Sequence, residues 1–161
     1  MALTWKCPKC GREFGKRNQQ HSCTVYPLEK HFAGKEAVAR PLYNMLRETI
    51  EKDIGPLKVE SLPCCIHFVV NYGTYTFAAV CALKDRIRIH FGSDRELKSP
   101  RVDKSAKVSA GKYMHSIDIR AGAEIDKELI SWLRHAYNLK RKNEPRRSPV
   151  QRNRRLRTKI S

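Results

Sequence analysis

Three cysteines and a histidine crowd into one short stretch: Cys7, Cys10, His21 and Cys23. Cys7-Pro8-Lys9-Cys10-Gly11 has the form of a zinc knuckle, a tight turn that sets two thiolates on one side of a loop while backbone amides point at the sulfurs. Gly11 suits the close, left-handed backbone that such a turn requires. Ten residues separate Cys10 from His21 and one separates His21 from Cys23, which completes the four donors that a closed tetrahedral zinc takes. Residues two apart share a face of extended chain but not of a helix, so His21 and Cys23 argue against a finger with a reading helix. His31 competes with His21 for the fourth position. Trp5 and Phe14 are the expected apolar lids of a mini-core around the metal.

Other chemistries use the same residue types. A redox Cys-x-x-Cys usually follows a strand inside a βαβ unit, and only six residues precede Cys7. Disulfides belong to exported chains, and there is no apolar signal segment here and no apolar run near the roughly 18 residues of a membrane span. The expectation is a soluble, cytoplasmic protein. Cys64 and Cys65 fall next to each other on an expected strand, which sends their side chains to opposite faces and at least one into the core. Cys81, among Ala79, Val80 and Ala82, reads as a packing residue. His67, His90 and His115 lie on different expected strands. Were they to converge, they would supply a general base or a ligand pocket, so an enzyme or small-ligand-binding domain is the alternative function. No Gly-rich phosphate loop, nucleophile elbow or carboxylate cluster supports it.

Charge points elsewhere. The 161 residues hold 33 Lys plus Arg against 16 Asp plus Glu, a net charge of +17, far more than solubility needs and suited to a polyanionic partner. More than half of that excess falls in residues 140–161, where ten basic residues, among them Arg141, Arg146, Arg147, Arg152, Arg154, Arg155, Arg157 and Lys159, meet Glu144 alone. Such a stretch has too few apolar residues to fold by itself and suits phosphate contacts. A second basic set comes from alternation: Arg86, Arg88 and His90 share one face of a strand whose other face carries Ile87, Ile89 and Phe91. Lys98, Arg101, Lys104 and Lys107 adjoin it, extending a candidate anion-binding surface.

The elements that position these residues follow from period. Helical spacing over Glu36 to Ile54 places Leu42, Met45, Leu46 and Ile50 on one face, with Pro41 in or near the first turn and Gly55-Pro56 ending the helix. Strands are expected at Cys64 to Asn71, Thr74 to Leu83, Arg86 to Phe91 and Tyr113 to Ile119, with hairpin turns at Tyr72-Gly73 and Lys84-Asp85 and a long polar loop from Gly92 to Lys112. A second helix spans Ile125 to about Arg141, with Asp126 and Glu128 at its start as the helix dipole favours. The expected fold is α+β: a zinc knuckle (1–26), a domain of helix, antiparallel meander of three to four strands and helix (27–139), and a basic tail (140–161).

The motifs Trp5-Lys-Cys-Pro-Lys-Cys-Gly11, Asn18-Gln-Gln-His-Ser-Cys23, Tyr113-Met-His-Ser116 and Trp132-Leu-Arg-His-Ala-Tyr137, with Phe32, resemble a family of small, uncharacterised bacterial proteins. The resemblance covers roughly residues 4 to 138. It implies an α+β domain of unknown function, supports grouping Cys7, Cys10, His21 and Cys23, and lends no activity; the arginine-rich stretch is an addition to the family pattern. The leading functional expectation is a non-enzymatic, zinc-containing nucleic-acid-binding protein. RNA is favoured over DNA, with the ribosome as a candidate location, because no reading helix for a DNA groove is recognisable. A DNA-associated accessory factor is a further alternative.

Overall fold

A computed structural model of the chain describes residues 5–142 apart from 22, 25 and 71–74. Two short strands, β1 (Trp5–Lys6) and β2 (Glu13–Phe14), pair antiparallel on either side of the Cys7 to Cys10 turn. Helix α1 (Ala39–Asp53) leads into β3 (Leu57–Ser61), β4 (Ile66–Val70), β5 (Thr76–Ala82), β6 (Ile87–Ser93), β7 (Lys104–Ser109) and β8 (Lys112–Ile119), and α2 (Lys127–Lys142) follows. The last six strands form one antiparallel sheet in the order β3-β4-β5-β6-β8-β7.

The fold is α+β, and alternation sorts the two faces of the sheet. Ile66 and Phe68 on β4, Val80 on β5, Ile87, Ile89 and Phe91 on β6, and Ile117 and Ile119 on β8 are buried on one side. Leu42, Leu46 and Ile50 of α1 and Leu129, Leu133 and Ala136 of α2 join them in a single core. At roughly 1.5–3 kcal/mol for each large apolar side chain taken fully out of water, this layer of helices on sheet is the main stabilising term. Pro41 is the third residue of α1, where its missing N–H costs no intrahelical bond.

The sheet is larger than its apolar pattern indicates. The expected loop from Gly92 to Lys112 contains β7, whose residues are all exposed and whose only large apolar member, Val108, is 65% exposed. A strand with neither face in the core leaves no alternating signal, and its lysines suit an edge that must not pair with other chains. β3 is the second addition, its Lys58 and Glu60 alternating with Leu57 and Val59. The Lys84-Asp85 hairpin is as expected, with the Leu83 N–H donating to the Arg86 carbonyl at 2.8 Å, while the Tyr72-Gly73 turn lies outside the described residues. Cys64 and Cys65 precede β4 in the turn from β3 rather than standing on the strand. Their side chains are not sent to opposite faces: the two sulfurs lie 3.2 Å apart.

Candidate metal centre and the open face of the sheet

The knuckle turn closes on itself through two backbone bonds, Cys7 N–H to the Arg12 carbonyl and Gly11 N–H to the Cys7 carbonyl, each 2.8 Å. Gly11 adopts φ +71°, the left-handed backbone that favours glycine. The amides of Lys9 and Cys10 point at the Cys7 sulfur, and the Arg12 amide points at Cys10. Cys7 Sγ lies 3.8 Å from Cys23 Sγ, and His21 Nε2 lies 3.4 Å from both Cys10 Sγ and Cys23 Sγ. All four donor atoms fall within 4.8 Å of one another, so the cluster could hold a metal ion.

The spacing is compatible with zinc. With Zn–S near 2.3 Å and Zn–N about 2.0–2.1 Å, a tetrahedron separates its sulfurs by about 3.8 Å and sulfur from nitrogen by about 3.6 Å. The surroundings fit as well. His21 Nδ1–H donates to the Gln19 carbonyl at 2.6 Å, which fixes the tautomer and turns the Nε2 lone pair toward the thiols, the usual outer support of a ligating imidazole. Phe14, buried, stacks 4.1 Å from the His21 ring, and Trp5 lies 6.0 Å from Phe14. Amide hydrogen bonds, first from Cys10, lower the Cys7 thiol, and the Arg12 side chain and amide lower Cys10 to about 6, which favours the thiolate that a metal takes. Burial raises Cys23, whose proton must leave when a metal binds. His31 stands apart: its Nε2 lies 3.0 Å from Ser61 Oγ and its ring 4.8 Å from Tyr26.

The other candidate residues are dispersed. Arg86 and Arg88 do share the open face with His90, but both guanidinium groups converge on Asp118, at 2.8 Å from Arg86 Nε and 2.6 Å from Arg88 Nε. Asp85 takes Arg86 at 2.6 Å and Asp103 takes Arg88 at 3.3 Å. The ladder is a charge network whose positive ends already have carboxylate partners. Arg101 pins its loop to the start of α2, bonding Asp126 at 2.9 Å, Glu128 at 3.1 Å and the Glu124 carbonyl at 2.6 Å. Lys98, Lys104, Lys107 and Arg141 are exposed. Arg146, Arg147, Arg152, Arg154, Arg155, Arg157 and Lys159 lie outside the described residues. Of the three histidines, His67 and His90 are on the open face with Ala79 between them in register, each on a different side of β5. His115 is fully buried beside Phe91 on the helix-covered face, where its Nε2 donates to the Arg95 carbonyl at 3.2 Å. They do not share a cleft. Sequence reasoning missed the carboxylates, since Asp118 and Asp103 reach Arg88 only through the β6–β8 register and the β8–β7 fold-back.

Fold and site together define a class: an α+β domain preceded in sequence by a Cys/His cluster able to hold a metal ion. Residues 28–140 match the model of a family described as a domain of unknown function, DUF5655, and the chain belongs to that family. The match begins after Cys23, so the cluster lies outside the matched residues. No curated protein and no solved structure matches the chain.

Proposed function

We propose that the protein is a non-enzymatic, zinc-containing nucleic-acid-binding protein, with RNA, ribosomal RNA included, favoured over duplex DNA. The observation that carries this reading is the distribution of charge. Arg86, Arg88 and Arg101 are held by carboxylates, whereas the ten basic residues of 140–161 are accompanied in sequence by Glu144 alone. The attraction for phosphate therefore resides chiefly in that stretch, with the exposed lysines of the 98–107 segment adding to it. The Cys7, Cys10, His21, Cys23 tetrahedron is a closed structural zinc in this reading; it holds Trp5 to Cys23 in one shape and carries no chemistry. RNA is favoured because α1 and α2 both bury their apolar sides on the sheet and neither is offered to a major groove.

The test is fluorescence anisotropy of the full chain with a structured RNA and with duplex DNA of equal length, across a salt series. Combining Arg152→Gln, Arg154→Gln, Arg155→Gln and Arg157→Gln is expected to weaken RNA binding. The slope of log K against log salt should become shallower by up to about 3, at ~0.7 for each single-strand phosphate that is no longer neutralised. Unchanged affinity and slope would take the basic stretch out of the interface, and tighter binding of the duplex would reverse the preference.

A further inference from the structure

Cys64, Cys65 and Cys81 are thiols on or beside the open face of the sheet. None of them belongs to the apolar core; Cys64 is exposed, and Cys65 and Cys81 are half-buried. Cys65 sits in the turn just before β4, and its contact with the His67 ring puts its sulfur on the open side of the sheet. The β4–β5 register, which pairs Ile66 with Val80 and His67 with Ala79, places Cys81 on the neighbouring strand one step beyond Val80, on the side of Cys65 but outside the close group of Cys64, Cys65 and His67. Cys64 Sγ is 3.2 Å from Cys65 Sγ, and Cys65 Sγ is 3.1 Å from His67 Nε2. The donor atoms of Cys64, Cys65 and His67 all fall within 4.8 Å of one another.

We propose that Cys64, Cys65 and His67, with Cys81 completing the set from the neighbouring strand, form a second metal site that takes a thiophilic d10 ion such as Zn(II) or Cd(II). Three sulfurs and one imidazole are the donor set that soft ions select over hard ones. Thr76 Oγ1 lies 3.2 Å from His67 Nδ1; in the metal-bound form Nδ1–H donates to that hydroxyl, which leaves Nε2 as the ligating nitrogen. Three thiolates and a divalent ion carry a net charge of −1, a small excess for a site that opens to solvent.

The two sites differ in kind. The first has Cys7 and Cys23 at the tetrahedral sulfur spacing, with Cys7 4% exposed and aromatic rings beside His21. In the second, the 3.2 Å sulfur pair must open toward the tetrahedral separation of about 3.8 Å. Cys64 can supply that movement because it sits in the turn between β3 and β4. The second ion is therefore open to solvent and exchangeable, and a chelator should remove it before the first.

The experiment is titration of the reduced full chain with Cd(II), followed by thiolate-to-metal charge-transfer absorbance, with bound metal counted by mass spectrometry under native conditions. Two equivalents are expected, falling to one in the Cys64→Ser, Cys65→Ser double variant. His67→Gln, which retains a polar group for Thr76, should weaken the second equivalent by at least tenfold and leave the first unchanged. A single equivalent that persists in the double variant and in His67→Gln overturns the proposal. A single equivalent that the double variant abolishes upholds the proposal and removes the zinc from the reading of the first cluster, so the two can fail separately.

Discussion

Asp118 is the residue on which the open face balances. Its carboxylate accepts from Arg86 Nε and from Arg88 Nε and Nη2, and these bonds, the Arg88 ones first, hold its carboxyl below the usual aspartate range. A pKa lower in the folded protein than in the unfolded chain means that the pair stabilises fully above the unfolded value of about 3.9 and loses its contribution as pH falls through the depressed one. Asp118→Asn should lower stability at pH 7 by about 1.5–3 kcal/mol, the net worth of hydrogen bonds to a charged partner, and the gap to the parent protein should narrow in acid. Urea midpoints at pH 7 and pH 3 check it; a gap that stays constant would assign the loss to packing. Residues close in sequence were legible at this scale. Cys7, Cys10, His21 and Cys23 span a short segment whose spacing alone suggests four donors, and the alternation of Arg86, Ile87, Arg88 and Ile89 correctly assigns faces. The partners of those arginines were not legible, because Asp118 is 30 residues from Arg88 and its place depends on how β8 folds back between β6 and β7. The convergence of Cys64, Cys65 and His67 was hidden by a strand start that falls two residues later than the β-branched run suggests.

At the scale of elements, strands with one face in the core were readable and strands without one were not, as β7 demonstrates. Helix ends were readable where residue type forces the backbone. Gly55 ends α1, its N–H bonding the Ile50 carbonyl at 3.1 Å, and glycine is favoured there both by its φ of +158° and by a neighbour from α2. A Cβ at Gly55 would stand 3.0 Å from the Tyr137 hydroxyl oxygen and 3.3 Å from Cζ, while that hydroxyl donates to the Pro56 carbonyl at 2.8 Å. Gly55→Ala should therefore push Tyr137 off its acceptor and cost about 1–2 kcal/mol, from a broken hydrogen bond and a crowded approach. The link is testable by a double-mutant cycle with Tyr137→Phe, which removes the hydroxyl and keeps the ring. If the crowding runs through the hydroxyl, the cost of Gly55→Ala shrinks in the Tyr137→Phe background. Equal costs in both backgrounds would locate the strain in the Gly55 backbone instead.

Across the described residues, the apolar core and the Cys/His cluster are separate in their packing. The apolar core runs from Leu46 and Ile50 through Phe77 and Ile89 to Leu133, and among the described residues nothing before Leu28 packs into it. The Cys/His cluster has its own small apolar cover, Trp5 and Phe14. The sheet and helices stand on hydrophobic area, whereas under the proposed reading a segment with so little burial draws its stability from metal-binding free energy. Stripping metal with a chelator should therefore loosen the knuckle and leave the sheet intact. The chain has two tryptophans, so a Trp132→Phe variant makes Trp5 the sole reporter. Its emission should shift to the red on chelation and return on adding zinc, while amide exchange at Ile89 and Ile117, in the buried middle of β6 and β8, stays slow throughout. Those amides suit the test because none of Cys64, Cys65, His67 and Cys81 lies on β6 or β8. Protection lost at Ile89 in step with the Trp5 shift would mean instead that knuckle and sheet unfold as one cooperative unit, with the metal stabilising both.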